Sequence, residues 1–265
     1  MLELLQFRHS PYNEKVRWAL DLKQLPHRRR SLLPGPHIGV VKRLTGRTTL
    51  PVLRHDAGVI DGSARIIEWL DAQQATPSLL PADPALRAEA LRIQAWFDDD
   101  LTPRIRRPVL AALLQQPGYF ARIFADGAPA WKRWAFACMV PLAAPLVRQG
   151  NGISGGASID DGHRAAAEAL DFVAARSAAS GYLCGSSFTV ADLTAASTLA
   201  VLVRPVDSPM SCPQPVAAGF RALMDRYAQH PGATWVRRIY ARHRGARSDF
   251  DGPSQGAGRG SNALA

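Results

Sequence analysis

The sequence predicts two successive units, a small α/β unit and a larger all-helical one. Three observations lead there. Over residues 1–75, short apolar runs bounded by turn residues are interleaved with helical patterns, as expected for a small sheet covered by helices. The stretch Ala75 to Pro84 holds Pro77, Pro81 and Pro84 and reads as a linker. Most of the stretch from Ala85 to about Arg244 then carries helical periodicity. With 265 residues, 47% of them apolar, the chain is long enough for two packed units and too apolar for a disordered one.

The elements follow in order. Leu2 to Phe7 is an apolar run and reads as a strand. Ser10-Pro11 starts a helix, because serine is a favoured N-cap and proline fits the first helical position, where its missing N–H is unpaired anyway. Val16, Ala19, Leu20 and Leu22 give that helix an apolar side, and it ends before Pro26. A weakly signalled strand is expected around His27 to Leu32, then a turn at Pro34-Gly35-Pro36. Thr49 to Leu53 reads as a strand whose Pro51 belongs at its start or edge, since proline donates no ladder hydrogen bond. Asp56-Ala57-Gly58 turns the chain into Val59-Ile60, completing a hairpin, and Gly62-Ser63 opens a helix with Ile66, Ile67 and Leu70 at helical spacing. In the second unit Leu86–Leu101 and Arg164–Ala178 are the clearest helical stretches, and Gly150 to Gly162 reads as a loop. Residues 245–265, rich in Gly, Ser and Arg, are expected to be a disordered basic tail.

Composition excludes several function classes. The longest apolar stretch, Trp134 to Val147, has 14 residues and contains Pro141 and Pro145; it is short of a membrane span and reads as a buried, kinked helix. Leu2 to Ser10 lacks the pattern of a secretory signal. Cys138, Cys184 and Cys212 are widely spaced, odd in number and form no CxxC pair, which argues against a disulfide framework and for a reducing, cytoplasmic setting. No Cys/His cluster has zinc-ligand spacing, so no metal is expected. Of the formal charge of +10, the last 45 residues supply +5 through eight Arg and three Asp. No nucleic-acid-binding motif accompanies the charge, so nucleic acid is not an expected partner. Asp98-Asp99-Asp100 reads as a solvated face, because successive helical residues point about 100° apart and do not converge on one ion.

Four stretches carry a more specific signal. They are Ser10-Pro11-Tyr12-Asn13-Glu14-Lys15-Val16-Arg17, then Leu50-Pro51-Val52-Leu53, then Asp61-Gly62-Ser63 followed by Ile66, Trp69 and Leu70, and finally Tyr182-Leu183-Cys184-Gly185 with Phe188-Thr189-Val190-Ala191-Asp192. In order and separation they resemble the glutathione S-transferase family, in its serine-type, theta-, zeta- and omega-like form. The resemblance implies a thioredoxin-like glutathione-binding domain over residues 1–75, an all-helical C-terminal domain over residues 85–244, and a homodimer. It implies that Ser10 stabilises the thiolate of glutathione, with Tyr12 as the alternative donor. It further implies a cis Leu50–Pro51 bond with Leu50 pairing its backbone to the peptide, and Gly62 and Ser63 holding its γ-glutamyl end. Thr189 and Asp192 would form a structural capping box. One position departs from the pattern: the residue before Ser63 is Gly62, and the acid is one place earlier, at Asp61.

The chemistry this asks of the residues is plain. A thiol of pKa ~8.5 is mostly protonated at neutral pH, and the thiolate is the nucleophile. A hydroxyl donating to the sulfur and the positive end of a helix both favour the anion. Ser10 has this position, with capping of the first helix as its alternative role; Ser63 likewise could be a plain N-cap. Asn13 stands where a redox protein would carry a second cysteine, which argues against disulfide chemistry. His9 reads as a solvated neighbour, and Arg104, Arg106 and Arg107 either favour an anionic second substrate or are surface charge. Trp18, Trp96 and Phe97 read as core. The expected function is therefore a transferase that adds the thiolate to an electrophilic apolar compound, with glutathione as co-substrate. The rival readings are a non-catalytic module of the same fold that makes protein contacts or sequesters apolar ligands.

Overall fold

The structure is a computed structural model that describes residues 1–250. Strand β1 (Leu2–Gln6) leads into helix α1 (Pro11–Leu22) and returns as β2 (His27–Ser31); helix α2 (His37–Thr45) follows, then the hairpin β3 (Val52–His55) and β4 (Gly58–Asp61), then α3 (Ser63–Gln73). The sheet has the order β2-β1-β3-β4. β1 and β2 are parallel, as a helical crossover demands, while β3 is antiparallel to both β1 and β4. Successive residues alternate faces, so Leu4 and Leu53 pack under α1 and α3, while Leu5 and Val52 meet Val41 of α2 and Leu50 in a smaller second core. Helix α2 has no counterpart in the sequence reading. Its apolar stripe is short, Val41 alone is buried, and Gly46 ends it in the left-handed conformation at φ +73°.

The second unit is helical throughout. It runs through α4 (Pro84–Trp96), a π-helical turn (Phe97–Leu101), α5 (Thr102–Leu114), α6 (Pro117–Phe124), α7 (Ala130–Gly150), α8 (Gly156–Arg176), α9 (Val190–Val203), α10 (Ala218–Asp225) and α11 (Pro231–His243). This is the expected class, a small α/β unit followed by an all-α one. Helix α9 is apolar all round and buried from Val190 to Leu202, the mark of a central helix. Thr189 and Asp192 start it as a capping box: Thr189 Oγ1 accepts from Ala191 N (3.3 Å), and Asp192 Oδ2 accepts from Thr189 N (2.9 Å). Asp192 Oδ1 also accepts from Leu183 N at 2.8 Å, tying the Tyr182–Gly185 segment to the helix.

The units are joined along α1. Trp18 is fully buried, its ring 4.4 Å from that of Tyr240 and 5.5 Å from that of Phe188, and its indole N–H donates to the carbonyl of His243. Around it lies a buried ionic network that the sequence reading did not anticipate. Arg17 and Arg244 share Glu14, and Arg244 and Arg29 share Asp21. Charges this deep are tolerated because each is paired.

Four expectations need correction. Trp134–Val147 lies in α7, but Val140 is the single buried residue of that helix, and Trp134 and Leu142 are 71% and 82% exposed. Apolar composition does not say which faces find a partner, and α7 packs along one side only, against α5 and α6. The loop expected over residues 150–162 ends early, because α8 begins at Gly156. Asp98 is not on a solvated face: the π-helical turn shifts the helical phase and points its carboxylate at the buried Lys15 ammonium. Finally, the stretch 245–250 of the expected disordered tail is docked. Ser248 donates from its backbone N to Asp21 Oδ1 (2.9 Å), Asp249 pairs with Arg29 and Arg247, and Phe250 N donates to His27 O (3.0 Å). Polar pairing with α1 and β2 replaces the apolar burial this segment lacks. The remainder of that tail, residues 251–265, lies outside the described residues.

Candidate active site

Ser10 sits at the corner between β1 and α1. Its backbone is extended (φ −105°, ψ 131°) while its carbonyl already accepts the first helical bond, from Glu14 N at 2.9 Å. Its side chain makes no capping hydrogen bond. The hydroxyl thus keeps its proton available at the positive end of α1, and the capping alternative is not realised. The loop before it is fixed from behind: Arg17 donates through Nη1 to Phe7 O (3.4 Å) and through Nη2 to Arg8 O (2.8 Å). Asn13, on the buried side of α1, has no hydrogen-bond partner for either side-chain polar atom among the described residues.

The sheet brings the other expected residues to the same end. Val52 is opposite both Leu5 and Asp61, so the chain leaving β1 for Ser10 passes the start of β3, and Gly62-Ser63 stands beside it. The Leu50–Pro51 bond is cis. Gly62 N donates to Pro51 O at 3.1 Å, so this amide is taken up by the fold rather than left for a carboxylate. Gly62 adopts φ +85°, which explains glycine here: an L side chain is strained in that region. The carboxylate of Asp61 is held by Arg65 and by Arg47. Ser63 is the first residue of α3, with Gly62 as the N-cap. It is buried, and its hydroxyl makes no hydrogen bond among the described residues, so the plain-cap role falls to its neighbour.

Tyr12 is placed differently. Its hydroxyl donates to the carbonyl of Asp98 at 2.7 Å, across to the helical unit. In the π-helical turn Thr102 N turns to Phe97 O, and residue 103 is a proline without an N–H, so the Asp98 carbonyl has no helical donor and Tyr12 supplies one. Burial above all pushes the Tyr12 phenol up to about 12, which keeps its proton in place. This hydroxyl ties α1 to the helical unit.

Ser10 opens onto a cleft of about 860 Å³ between the two units. One wall is Phe7, His9, Pro34 and His37; the other is formed by α5, α6 and α7 through Val109, Leu113, Phe120, Phe136 and Val140. His9 is buried, contrary to the expectation of a solvated neighbour. Burial first, then the charges of Arg204, Arg17 and Arg8, hold its imidazole well below the usual range. Its Nδ1 faces the Arg204 guanidinium at 3.3 Å. Arg106 and Arg204 also line the cleft. Of these, Arg106 was singled out from sequence only as one of three arginines. Arg204 carried no signal beyond a lone arginine after an apolar helix. No cluster of His, Cys, Asp or Glu among the described residues could hold a metal ion. No described helix is long and apolar enough to cross a membrane.

Comparison with known proteins agrees with this fold. Residues 4–78 match the family model of the glutathione S-transferase N-terminal domain, and residues 156–231 that of the C-terminal domain, together more than half of the chain. The chain belongs to the glutathione S-transferase family. A maleylpyruvate isomerase from Ralstonia sp. is 32% identical over 119 residues, 42% of this chain and 54% of that protein. A probable glutathione S-transferase from Nicotiana tabacum is 35% identical over 106 residues, 37% of this chain and 44% of its own. The chain thus spans about half the length of the curated relatives it matches. Among solved structures, a glutathione S-transferase from Rhodospirillum rubrum has the same fold, with a TM-score of 0.62 at 22% identity over 92% of this chain and 90% of that one.

Proposed function

We propose that this protein is a glutathione-dependent transferase in which the Ser10 hydroxyl donates a hydrogen bond to the glutathione thiolate. The observation that carries the reading is the state of Ser10: at the N-terminus of α1, released from capping, and lining an apolar cleft. Glutathione would lie along the sheet end, with its backbone against Leu50 beside the cis Pro51 and its γ-glutamyl carboxylate at the start of α3, where Ser63 offers a hydroxyl and a helix-end N–H. Gly62 has no part in that contact, since its amide serves Pro51. The thiol gives its proton to solvent, the sulfur lone pair forms a bond to the electrophilic carbon, a leaving group on that carbon departs with its bonding pair, and the cleft excludes water from the apolar partner.

The test is Ser10→Ala. A hydrogen bond to a charged sulfur is worth about 1.5–3 kcal/mol, so turnover should fall roughly 10- to 100-fold. The pH at which activity rises should move toward the ~8.5 of a free thiol. Binding of S-methylglutathione, which has no thiol, should be unchanged by calorimetry. Unchanged turnover and pH profile in the variant would remove Ser10 from the chemistry.

A further inference from the structure

We propose that the second substrate is an amphiphilic anion, a carboxylate or equivalent on an apolar body, and that Arg106 is the residue that selects it. This rests on the transferase reading above and names its substrate class.

Three arginines occur within four residues of α5, and the fold treats them differently. Arg104 and Arg107 both reach Asp161 of α8, Arg104 through two bonds of 2.9 and 2.8 Å and Arg107 through one of 2.7 Å. Both guanidinium groups are thus engaged with carboxylates, Arg104 also with Asp100 and Glu168. Arg106 lies on the opposite stripe, three, four and seven residues before Val109, Leu110 and Leu113, which share one face of the helix and line the cleft with it. Its one hydrogen bond among the described residues is to a neutral acceptor, Asn151 Oδ1 at 2.8 Å, and Asn151 is itself held by donating to Val147 O at 2.7 Å. Among the described residues no Asp or Glu lines the cleft, whereas Arg106, Lys132 and Arg204 all do.

The three cations are not equivalent. Arg204 is engaged with Met210 O (2.7 Å) and His9, and its guanidinium lies over the Phe220 ring. Lys132 rests on the exposed Trp131 at the rim. Arg106 is left with a guanidinium in an apolar wall and no carboxylate among the described residues. A charge half-buried in an apolar wall without a counter-ion is costly, and a planar fork of N–H donors matches a carboxylate. A substrate that brings the missing negative charge, with its apolar body along Val109 and Leu113, completes the site.

The experiment uses the full chain and two pairs of probes. For turnover these are 4-chloro-3-nitrobenzoate and 4-chloro-3-nitrobenzamide. In each, the glutathione sulfur forms a bond to the carbon bearing chlorine, chloride leaves with the bonding pair, and the thiol proton goes to solvent. For binding they are 8-anilinonaphthalene-1-sulfonate and the neutral N-phenyl-1-naphthylamine, read by fluorescence without any reaction. The wild type should prefer the benzoate at least tenfold in kcat/KM and bind the sulfonate at least tenfold more tightly than the amine. Arg106→Gln should abolish both preferences while leaving the amide and the amine within twofold, and Arg106→Lys should restore part of them. Equal handling of charged and neutral probes by the wild type would overturn the proposal, as would an Arg106→Gln variant that keeps the preference. A rise confined to the KM for glutathione would do so too, by assigning Arg106 to the tripeptide. If neither halide reacts, the transferase reading fails, and the fluorescence pair still decides whether Arg106 recognises an anion.

Discussion

Arg244 Nε lies 2.8 Å from Glu14 Oε1, 230 residues earlier in the chain, and neither side chain has appreciable contact with solvent. The same guanidinium reaches Asp21 Oδ2 at 2.9 Å. One cation at the end of α11 thereby holds two carboxylates of α1, the helix whose N-terminus carries Ser10.

Arg244→Met should therefore be among the most damaging single changes. It leaves Glu14 and Asp21 short of one partner in a dry environment, a loss of about 3–5 kcal/mol by the usual cost of breaking a buried pair from one side. Chemical denaturation should show a lower midpoint. An unaltered midpoint would mean that Arg17 and Arg29 alone suffice.

Acid should unfold the protein partly through Asp21. Burial pushes its carboxyl up, but Arg244, Arg29 and the Ser248 N–H together outweigh it and leave Asp21 below its ordinary value. Its folded pKa is thus lower than its unfolded one, near 3.9, and the unfolded chain binds more protons in between. The stability it contributes is complete above about pH 4 and is lost as pH falls through the folded value. Asp21→Asn should lower stability at neutral pH and flatten the acid limb below about pH 4 in denaturation midpoints measured against pH.

Thr189→Ala should cost about 1 kcal/mol through loss of the cap. Because the box sits at the start of the central helix and far from Ser10, the expected result is a lower melting temperature with the same KM for glutathione. A changed KM with unchanged stability would contradict a structural role.

Gly162→Ala tests how closely α8 approaches α5. A Cβ there would lie 2.3 Å from Pro108 Cδ and 2.6 Å from Arg104 O. Alanine gains about 1 kcal/mol of helix propensity. The clash is against a ring and a backbone carbonyl, which yield poorly, and overpacking of this kind costs about 1–3 kcal/mol. Net destabilisation is expected in thermal melts; a more stable variant would mean the helices separate freely.

Much of the α/β unit was legible in the sequence because its signals are local. Pro11, the Asp56–Gly58 turn and Pro51 each act within a few residues, as does the Thr189–Asp192 box in the helical unit. Where the reading failed, the deciding partner was distant. Nothing near Asp98 announces that Lys15 lies 83 residues away, nor that residue 103, as a proline, leaves a carbonyl for Tyr12. His9 acquires its meaning from Arg204, 195 residues away, and Arg106 from Asn151, 45 residues away. The 245–250 stretch has too little apolar surface to predict order, and its order comes from ion pairs with α1 and β2 that periodicity cannot reveal.

The two sides of the cleft are unequally anchored. At Ser10 the chain is fastened by a strand, a helix start and the Arg17 guanidinium, whereas across from it α7 fully buries Val140 alone and packs Phe136, Ala144 and Val147 only in part. A wall with so few buried contacts costs little to displace. Molecules of quite different girth should then be admitted by yielding of that one helix, while the reacting end keeps its shape, so size should govern entry far less than charge.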